Sequence, residues 1–337
     1  MTHDSFSPAD VYVGIDVAKD KLDLARSDQN DVLQFANDPT GIAAIVAMMK
    51  KAKPVLIVIE STGGLERPLV GALLDEDLPA ALVHPGRVRN MARALNINAK
   101  SDKIDARVLY LFGQKAQPRI SRKASENRQE LSDLVTCRRQ LVTTRVQQSN
   151  RLGSSYSAAA RKSIHAVIGT LDRQIEKLDR QIRRLIDADD DFRDLEKILL
   201  SVPGVGPTLT ATLLADLPEL GQLDRQPVCA IVGVAPFVKE SGNYQGQRNI
   251  RGGRTHVRNV LYMNAITAIR CNPVIQAFAH RLQQKNKRSK VVIVAAMRKL
   301  LSLINVMACY GTNSTSSKNF QRPLDFKHSR FAVKLTF

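Results

Sequence analysis

Two short apolar runs in this chain each end in a carboxylate: Val11-Tyr-Val-Gly-Ile-Asp16 and Val55-Leu-Ile-Val-Ile-Glu60. β-branched and aromatic residues favour extended chain, and a continuous apolar run suits a strand buried on both faces. Acids at two such strand ends repel one another when paired in a sheet, unless a cation or a shared proton offsets the repulsion. A third segment, Lys100-Ser-Asp102-Lys-Ile-Asp105-Ala, leads into a helical run through Phe112. Residues three apart share a helix face, so Asp102 and Asp105 can point at one place. Asp16, Glu60, Asp102 and Asp105 together form an all-oxygen set suited to one or two Mg²⁺ or Mn²⁺ ions, the outline of a phosphoryl-transfer site. Taken singly, each strand-end acid also fits an ordinary cap or turn.

A second constellation lies downstream. Ser241 stands in a glycine-flanked stretch, Lys239-Glu-Ser-Gly-Asn-Tyr-Gln-Gly246, followed by Arg248, Arg251, Arg254 and Arg258. Arginines at this density suit phosphate, and Arg254 and Arg258 fall on one helical face. A loop serine with no adjacent His or Lys base is ordinarily a turn residue, so its activation would have to come from the metal site. Ser201-Val-Pro-Gly-Val-Gly-Pro-Thr208 resembles the hairpin of helix-hairpin-helix DNA-binding proteins, with Gly204 and Gly206 allowing amides to face a phosphate; a plain Pro-Gly helix boundary also fits. Lys285, Lys287, Arg288 and Lys290 make a compact basic stretch suited to a nucleic-acid backbone.

Charge is divided unevenly among the 337 residues. Residues 1–118 carry 14 basic and 15 acidic side chains, whereas residues 119–337 carry 36 and 17, which gives the net +18. Residues 239–299 hold 13 basic residues against one acid, Glu240. That clustering favours a polyanion, nucleic acid before an anionic membrane surface. The four cysteines stand apart without a CxxC pair, which argues against zinc or a disulfide framework. No apolar run approaches membrane-spanning length, and Met1-Thr-His-Asp-Ser lacks signal-peptide character, so no membrane partner is expected.

The elements that must position these groups can be read in outline. Residues 1–10 form a disordered lead. In residues 11–118, three antiparallel strands (Val11–Asp16, Lys21–Arg26, Val32–Phe35) open a domain. A helix capped by Thr40, the Glu60 strand, a helix through Leu69 and Leu73, and a strand over Ala80–Val83 follow. Gly63 and Gly64 suit either a phosphate-facing turn or a simple tight one. In residues 119–197, Leu171, Ile175, Leu178, Ile182 and Leu185 alternate spacings of four and three, a coiled-coil seam that serves either a dimer or packing within the chain. Residues 198–310 form a mostly helical basic domain, and residues 311–337 a loosely ordered polar tail. The fold class is α/β plus α: a mixed-sheet domain, long helices, and a helical second domain.

The order Gly-Ile-Asp16-Val-Ala-Lys, Ile59-Glu60-Ser-Thr-Gly, Lys100-Ser-Asp102-Lys-Ile-Asp105-Ala resembles the acidic tetrad of the DEDD insertion-sequence transposases, relatives of the Piv DNA invertases. The stretch from Val232 to Tyr262 is similar to the serine-bearing half of the same family, so the resemblance covers roughly residues 11–310. It implies a RuvC-like, ribonuclease-H-type domain holding Mg²⁺ or Mn²⁺ on the four acids, with Ser241 attacking DNA to form a phosphoserine link. It also implies donor and target DNA, a noncoding guide RNA, a dimer or tetramer, and a cytoplasmic, nucleoid-associated bacterial setting. Actin-like sugar kinases share the Gly-Ile-Asp strand, but their phosphate pattern does not recur in the second half. The rival reading is a junction-resolving nuclease in which metal-activated water attacks.

Overall fold

The structure, a computed structural model, describes residues 10–97, 102–123, 125–237, 240–241, 244–245 and 249–314, with backbone alone at 102–103, 240–241, 244–245 and 311–314. The sequence-based expectations for the extreme N-terminus and for the tail beyond 314 lie outside the described residues. The chain divides into two compact units at Ala124/Ser125.

In the first unit, β1 (Tyr12–Val17), β2 (Lys21–Arg26) and β3 (Val32–Ala36) form an antiparallel meander. Helix α1 (Pro39–Ala52) then leads to β4 (Leu56–Glu60), and α2 (Arg67–Asp75) to β5 (Ala80–Val83). The sheet order is β3-β2-β1-β4-β5, with β1, β4 and β5 mutually parallel. One face packs Val13, Ile15, Leu22, Ile57 and Ile59 against Ile42, Ile45 and Met49 of α1 and Leu69 and Leu73 of α2. The other packs Tyr12, Leu56, Val58 and Val83 against α3 (Pro85–Ala94) and α4 (Asp102–Ala116) through Val88, Val108, Leu109 and Phe112. Both faces are covered, which is why the central strands read as unbroken apolar runs. The cap of α1 is Asp38, whose carboxylate accepts from the Gly41 N–H at 2.7 Å, and not Thr40. Pro39, with its fixed φ and no N–H, takes the first helical turn and moves the start one residue upstream of Thr40.

The second unit begins with α5 (Glu126–Ser154) and α6 (Ala158–Ala188), which run antiparallel to each other. Side-chain pairs Asn127–Asp189, Arg138–Asp179 and Arg145–Asp172 mark the successive levels. At their base Leu131, Val135, Ile182 and Ile186 pack with Phe192 of α7 (Asp190–Leu200) and Ala211, Leu214 and Ala215 of α8 (Pro207–Asp216). Part of the heptad-like seam is therefore satisfied within the chain. Next come α9 (Arg225–Val232), the short strands β6 (Pro236–Phe237), β7 (Glu240–Ser241), β8 (Tyr244–Gln245) and β9 (Asn249–Ile250), and helices α10 (Thr255–Cys271), α11 (Pro273–Gln284) and α12 (Ser289–Ser314). The stretch Ser289–Tyr310, 22 residues with a mean hydropathy of 1.9, is long and apolar enough to cross a membrane. This corrects the expectation that no run reaches that length. Its apolarity has a use here: Ala296, Met297, Leu300, Leu301, Ile304 and Ala308 fill the unit's core.

Helix α4 lies on β1 with no room for a side chain at Gly14. A Cβ there would sit 2.1 Å from the Ala106 carbonyl oxygen and 2.5 Å from the Tyr110 nitrogen. Gly14→Ala should therefore cost about 1–3 kcal/mol by overpacking. Gly71→Ala, on the α2 surface with nothing within 4 Å, should be neutral or stabilising by up to about 1 kcal/mol. Denaturant unfolding of the two variants checks the contrast; equal stability would remove the steric role of Gly14.

Candidate active site

The predicted carboxylates can be placed from strand register upward. Ile15 of β1 pairs with Ile59 of β4 in parallel register, so the next residues, Asp16 and Glu60, end adjacent strands at the same edge. Side chains alternate along a strand. Tyr12, Leu56 and Val58 face α3 and α4, and Asp16 and Glu60 share their parity and hence that face. Helix α4 runs antiparallel to these strands: Gly113, late in the helix, meets Tyr12, Leu56 and Val58, whereas Ala106, early in it, meets Gly14. Its first turn, carrying Asp102 and Asp105, therefore lies toward the carboxyl ends of β1 and β4. Asp16, Glu60 and Asp105 are half-buried there, and the Asp102 side chain lies outside the described residues. Among the described residues no group of three or more His, Cys, Asp or Glu side chains is gathered closely enough to hold a metal ion. The donor chemistry, carboxylate oxygen throughout, is that of a hard divalent cation.

Two further acids border this edge, and the sequence reading missed both. Asp23 of β2 stands directly opposite Asp16 in antiparallel register, 3% exposed, with Lys21 Nζ at 3.0 Å and Gln34 Nε2 donating to it at 2.9 Å. Its signal was a carboxylate at an inward position between Leu22 and Leu24. Glu66, 4% exposed, organises the turn that follows Glu60. It accepts from Gly64 N–H at 2.8 Å and from the Thr62 N–H and hydroxyl at 3.1 Å each. Gly63 and Gly64 adopt φ of 78° and 114°, the left-handed region this turn requires. The Gly64 amide, considered for a phosphate, is thus engaged by an internal anion. Burial would raise the Glu66 pKa, but the backbone and side-chain hydrogen bonds outweigh it and hold the carboxyl below its ordinary 4.5.

Ser241 belongs to the second unit. It lies on β7, where it pairs with Tyr244 of β8, and in the neighbouring pair of strands Pro236 pairs with Ile250 and Phe237 with Asn249. Its side chain, and all of Arg248, lie outside the described residues. Arg251 is exposed, as are Lys285, Lys287, Arg288 and Lys290 at the turn between α11 and α12. Arg254 and Arg258, expected on phosphate, are engaged inside the chain. Arg254 forms a bidentate pair with Glu219 at 2.6 and 2.8 Å, and Arg258 donates to the carbonyls of Gly233 and Gly252. Burial opposes ionisation of Glu219, yet the Arg254 fork holds its carboxyl below the ordinary range. Beside it, Asp216 accepts from the Ser132 hydroxyl at 2.8 Å and lies 3.0 Å from His256 Nε2.

The two glycines of the hairpin-like motif also have internal partners. Gly204, at φ 93°, faces α10 so closely that a Cβ would lie 2.6 Å from Ala268 Cα. The Gly206 N–H donates to Asn264 Oδ1 at 3.1 Å. Sequence spacing alone does not distinguish an amide aimed at phosphate from one aimed at a neighbouring helix.

Comparison with known proteins adds to this geometry. Residues 13–155 match a transposase family model of the DEDD, IS110 type, and residues 196–280 match the transposase IS116/IS110/IS902 family. The chain belongs to the IS110 transposase family. The pilin gene-inverting proteins of Moraxella lacunata and Moraxella bovis are each 27% identical over 306 residues, covering 87% of this chain and 94% of theirs. The transposase for insertion sequence element IS1111A of Coxiella burnetii is 21% identical over 288 residues, covering 77% and 78% respectively. Membership makes this IS110-family chain a transposase/recombinase, an enzyme that acts on DNA. The first match spans the strand-end acids, and the second spans Ser241 and the Arg254–Glu219 pair.

Glu66 links its turn to pH. With the folded pKa depressed, its contribution is complete above the unfolded value and is lost as pH falls through the folded one. Glu66→Gln should destabilise the protein by about 2 kcal/mol near neutrality. Unfolding of both proteins from about pH 7 to about pH 3 should show the gap shrinking below the ordinary glutamate range; a constant gap would contradict the assignment. Arg254→Ala, which strands half-buried Glu219, should cost about 1–3 kcal/mol in the same measurement. An unchanged stability with a lower salt dependence of DNA binding would instead return Arg254 to phosphate.

Proposed function

We propose that the protein is a site-specific DNA recombinase of an insertion sequence, exchanging strands through a covalent link between Ser241 and DNA. The observation that supports this reading most is the common placement of Asp16, Glu60 and the first turn of α4 at one sheet edge. The adjacent family match over the Ser241 segment supports it independently. On this reading Asp16, Glu60, Asp102 and Asp105 hold Mg²⁺ or Mn²⁺, as their oxygen-only chemistry suits. When bound, such an ion neutralises charge building on the phosphate and favours the alkoxide form of an attacking hydroxyl.

The chain's own residues then divide the work. Ser241 Oγ forms a bond to phosphorus, one bridging P–O bond breaks, and the departing deoxyribose oxygen gains the proton that the serine gives up. Attack on the phosphoserine by a hydroxyl from another strand reverses these changes and restores both the phosphodiester and Ser241. Each step exchanges one phosphate ester for another, so rejoining requires no outside energy source. Inversion, the activity named for the Moraxella relatives, calls for cutting and rejoining of this kind. Exposed Arg251, Lys285, Lys287, Arg288 and Lys290 would contact the DNA backbone. The 36 basic against 17 acidic residues of positions 119–337 leave capacity for a noncoding guide RNA as well. Placing acids and serine in separate units suits assembly as a dimer or tetramer.

The test is a denaturing-gel search for a protein–DNA adduct, using protein with its co-purified RNA, Mg²⁺ and junction-spanning DNA. Wild type should give an adduct that Ser241→Ala abolishes and Asp16→Ala reduces at least about a hundredfold. Cleavage without an adduct, retained by Ser241→Ala but lost in Asp16→Ala, would identify water as the nucleophile and the protein as a hydrolytic nuclease.

A further inference from the structure

The far end of the α5–α6 pair has a composition unlike its base. Residues 134–171 contain six basic side chains, Arg138, Arg139, Arg145, Arg151, Arg161 and Lys162, and not one acid. The flanking parts of the same helices carry Glu126, Glu130 and Asp133 on one side and Asp172, Glu176, Asp179 and Asp187 on the other. Ordinary solvated helix surface intersperses both signs. The nearest acids are already engaged: Asp179 pairs with Arg138, and Asp172 with Arg145. Beyond that level every formally charged side chain of the hairpin is a cation, with Arg151, Arg161 and Lys162 all exposed.

At the turn between the helices Tyr156 is fully exposed, at 102%. The turn that presents it is pinned on both sides. The Ser155 N–H donates to Leu152 O at 3.3 Å, and its hydroxyl donates to Arg151 O at 2.9 Å. Arg161 reaches back from α6 to the carbonyls of Leu152 and Ser155 at 3.2 and 3.3 Å, and the Ser157 oxygen caps α6 by accepting from Ala160 N–H at 3.4 Å. A large aromatic ring is thus held in water on an ordered turn, with Arg151 in the last turn of α5 and Lys162 near the start of α6.

We propose that this tip binds a single-stranded stretch of nucleic acid, one unpaired base stacking on Tyr156 and the flanking phosphates pairing with Arg151 and Lys162. The combination fits that ligand for two reasons. Every base offers a π-face to an aromatic ring, and the neighbouring phosphates require cations with no competing carboxylate. Duplex DNA keeps its bases stacked and gains nothing from the ring. An acidic protein surface would match the charge and leave the protruding tyrosine without a role.

The test uses full-length protein in the Ser241→Ala background, so that no strand is cut and failure of the serine mechanism does not enter. Binding of short labelled oligo-uridine, oligo-thymidine and a duplex of equal length is followed by fluorescence anisotropy over a salt series. Tyr156→Ala should weaken both single strands about tenfold with an unchanged salt slope, and leave the duplex unaffected. Tyr156→Phe should bind as the parent does. Arg151→Ala with Lys162→Ala should lower the single-strand salt slope by about 0.7 for each cation removed. Iodouridine in the oligo-uridine should photo-crosslink to Tyr156. The tip is exposed, so thermal melting of the variants should match the parent. Unchanged single-strand affinity in Tyr156→Ala, an equal loss for the duplex, or crosslinks confined to other segments would each overturn the proposal.

Discussion

Contact between helix α4 and the sheet at Gly14 is the constraint on which the first unit depends. The helix backbone comes so close to β1 that a single Cβ would overlap the Ala106 carbonyl. That closeness lets Tyr12, Val58, Leu109 and Phe112 share one apolar layer. It also fixes which end of the helix lies over which end of the strands. Lift the helix, and the segment bearing Asp102 and Asp105 no longer shares an edge with Asp16 and Glu60. Apolar packing thus sets which end of α4 lies beside the strand-end acids.

The second unit solves a different problem, that of supporting a short hairpin in a strongly cationic protein. Arg254 stands immediately before α10 and is fixed by Glu219, while Arg258 ties the Gly252 and Gly233 carbonyls together. Arg128 of α5 lies 5.3 Å from the Phe192 ring and donates to the Leu214 carbonyl. Cations here tie separate elements of the unit together, because one guanidinium satisfies several acceptors at once. Basic charge in this half therefore has two uses, and only the exposed part remains for nucleic acid.

This double use explains what was legible in the sequence. The strands, the antiparallel opening and the helical run through Phe112 were readable because the apolar runs end abruptly in acids and glycines, and both faces of the sheet are covered. The adjacency of Asp16 and Glu60 followed from two similar strands being neighbours. Spacing does not say where a side chain is already engaged, and there the reading stopped: Arg254 and Arg258 look like phosphate binders until Glu219 and two carbonyls are seen beside them. Gly206 was read as a phosphate-facing amide because its partner, Asn264, lies 58 residues away. Asp23 was overlooked because alternation along β2 was read for its leucines. The apolar stretch over residues 291–297 reads as a core helix, which buried Ala296, Met297 and Leu300 bear out; its continuation to Tyr310 is what the sequence reading leaves out.

On the proposed reading, the division into two units also bears on the danger inherent in the chemistry. A carboxylate–metal site able to activate a hydroxyl activates water as readily, and water would leave broken DNA. The acids lie in one unit and Ser241 in the other, so neither unit alone contains both an activating site and a protein nucleophile. Chemistry then depends on assembly with the nucleic acid, and the hydroxyl brought to the phosphate competes with solvent by its proximity. Effective concentration, set by how firmly the hairpin is braced, becomes the quantity that separates strand exchange from hydrolysis. On that reading the Arg254–Glu219 pair, which fixes the residue immediately before α10, would act on the chemistry only through the position of the strands that precede it.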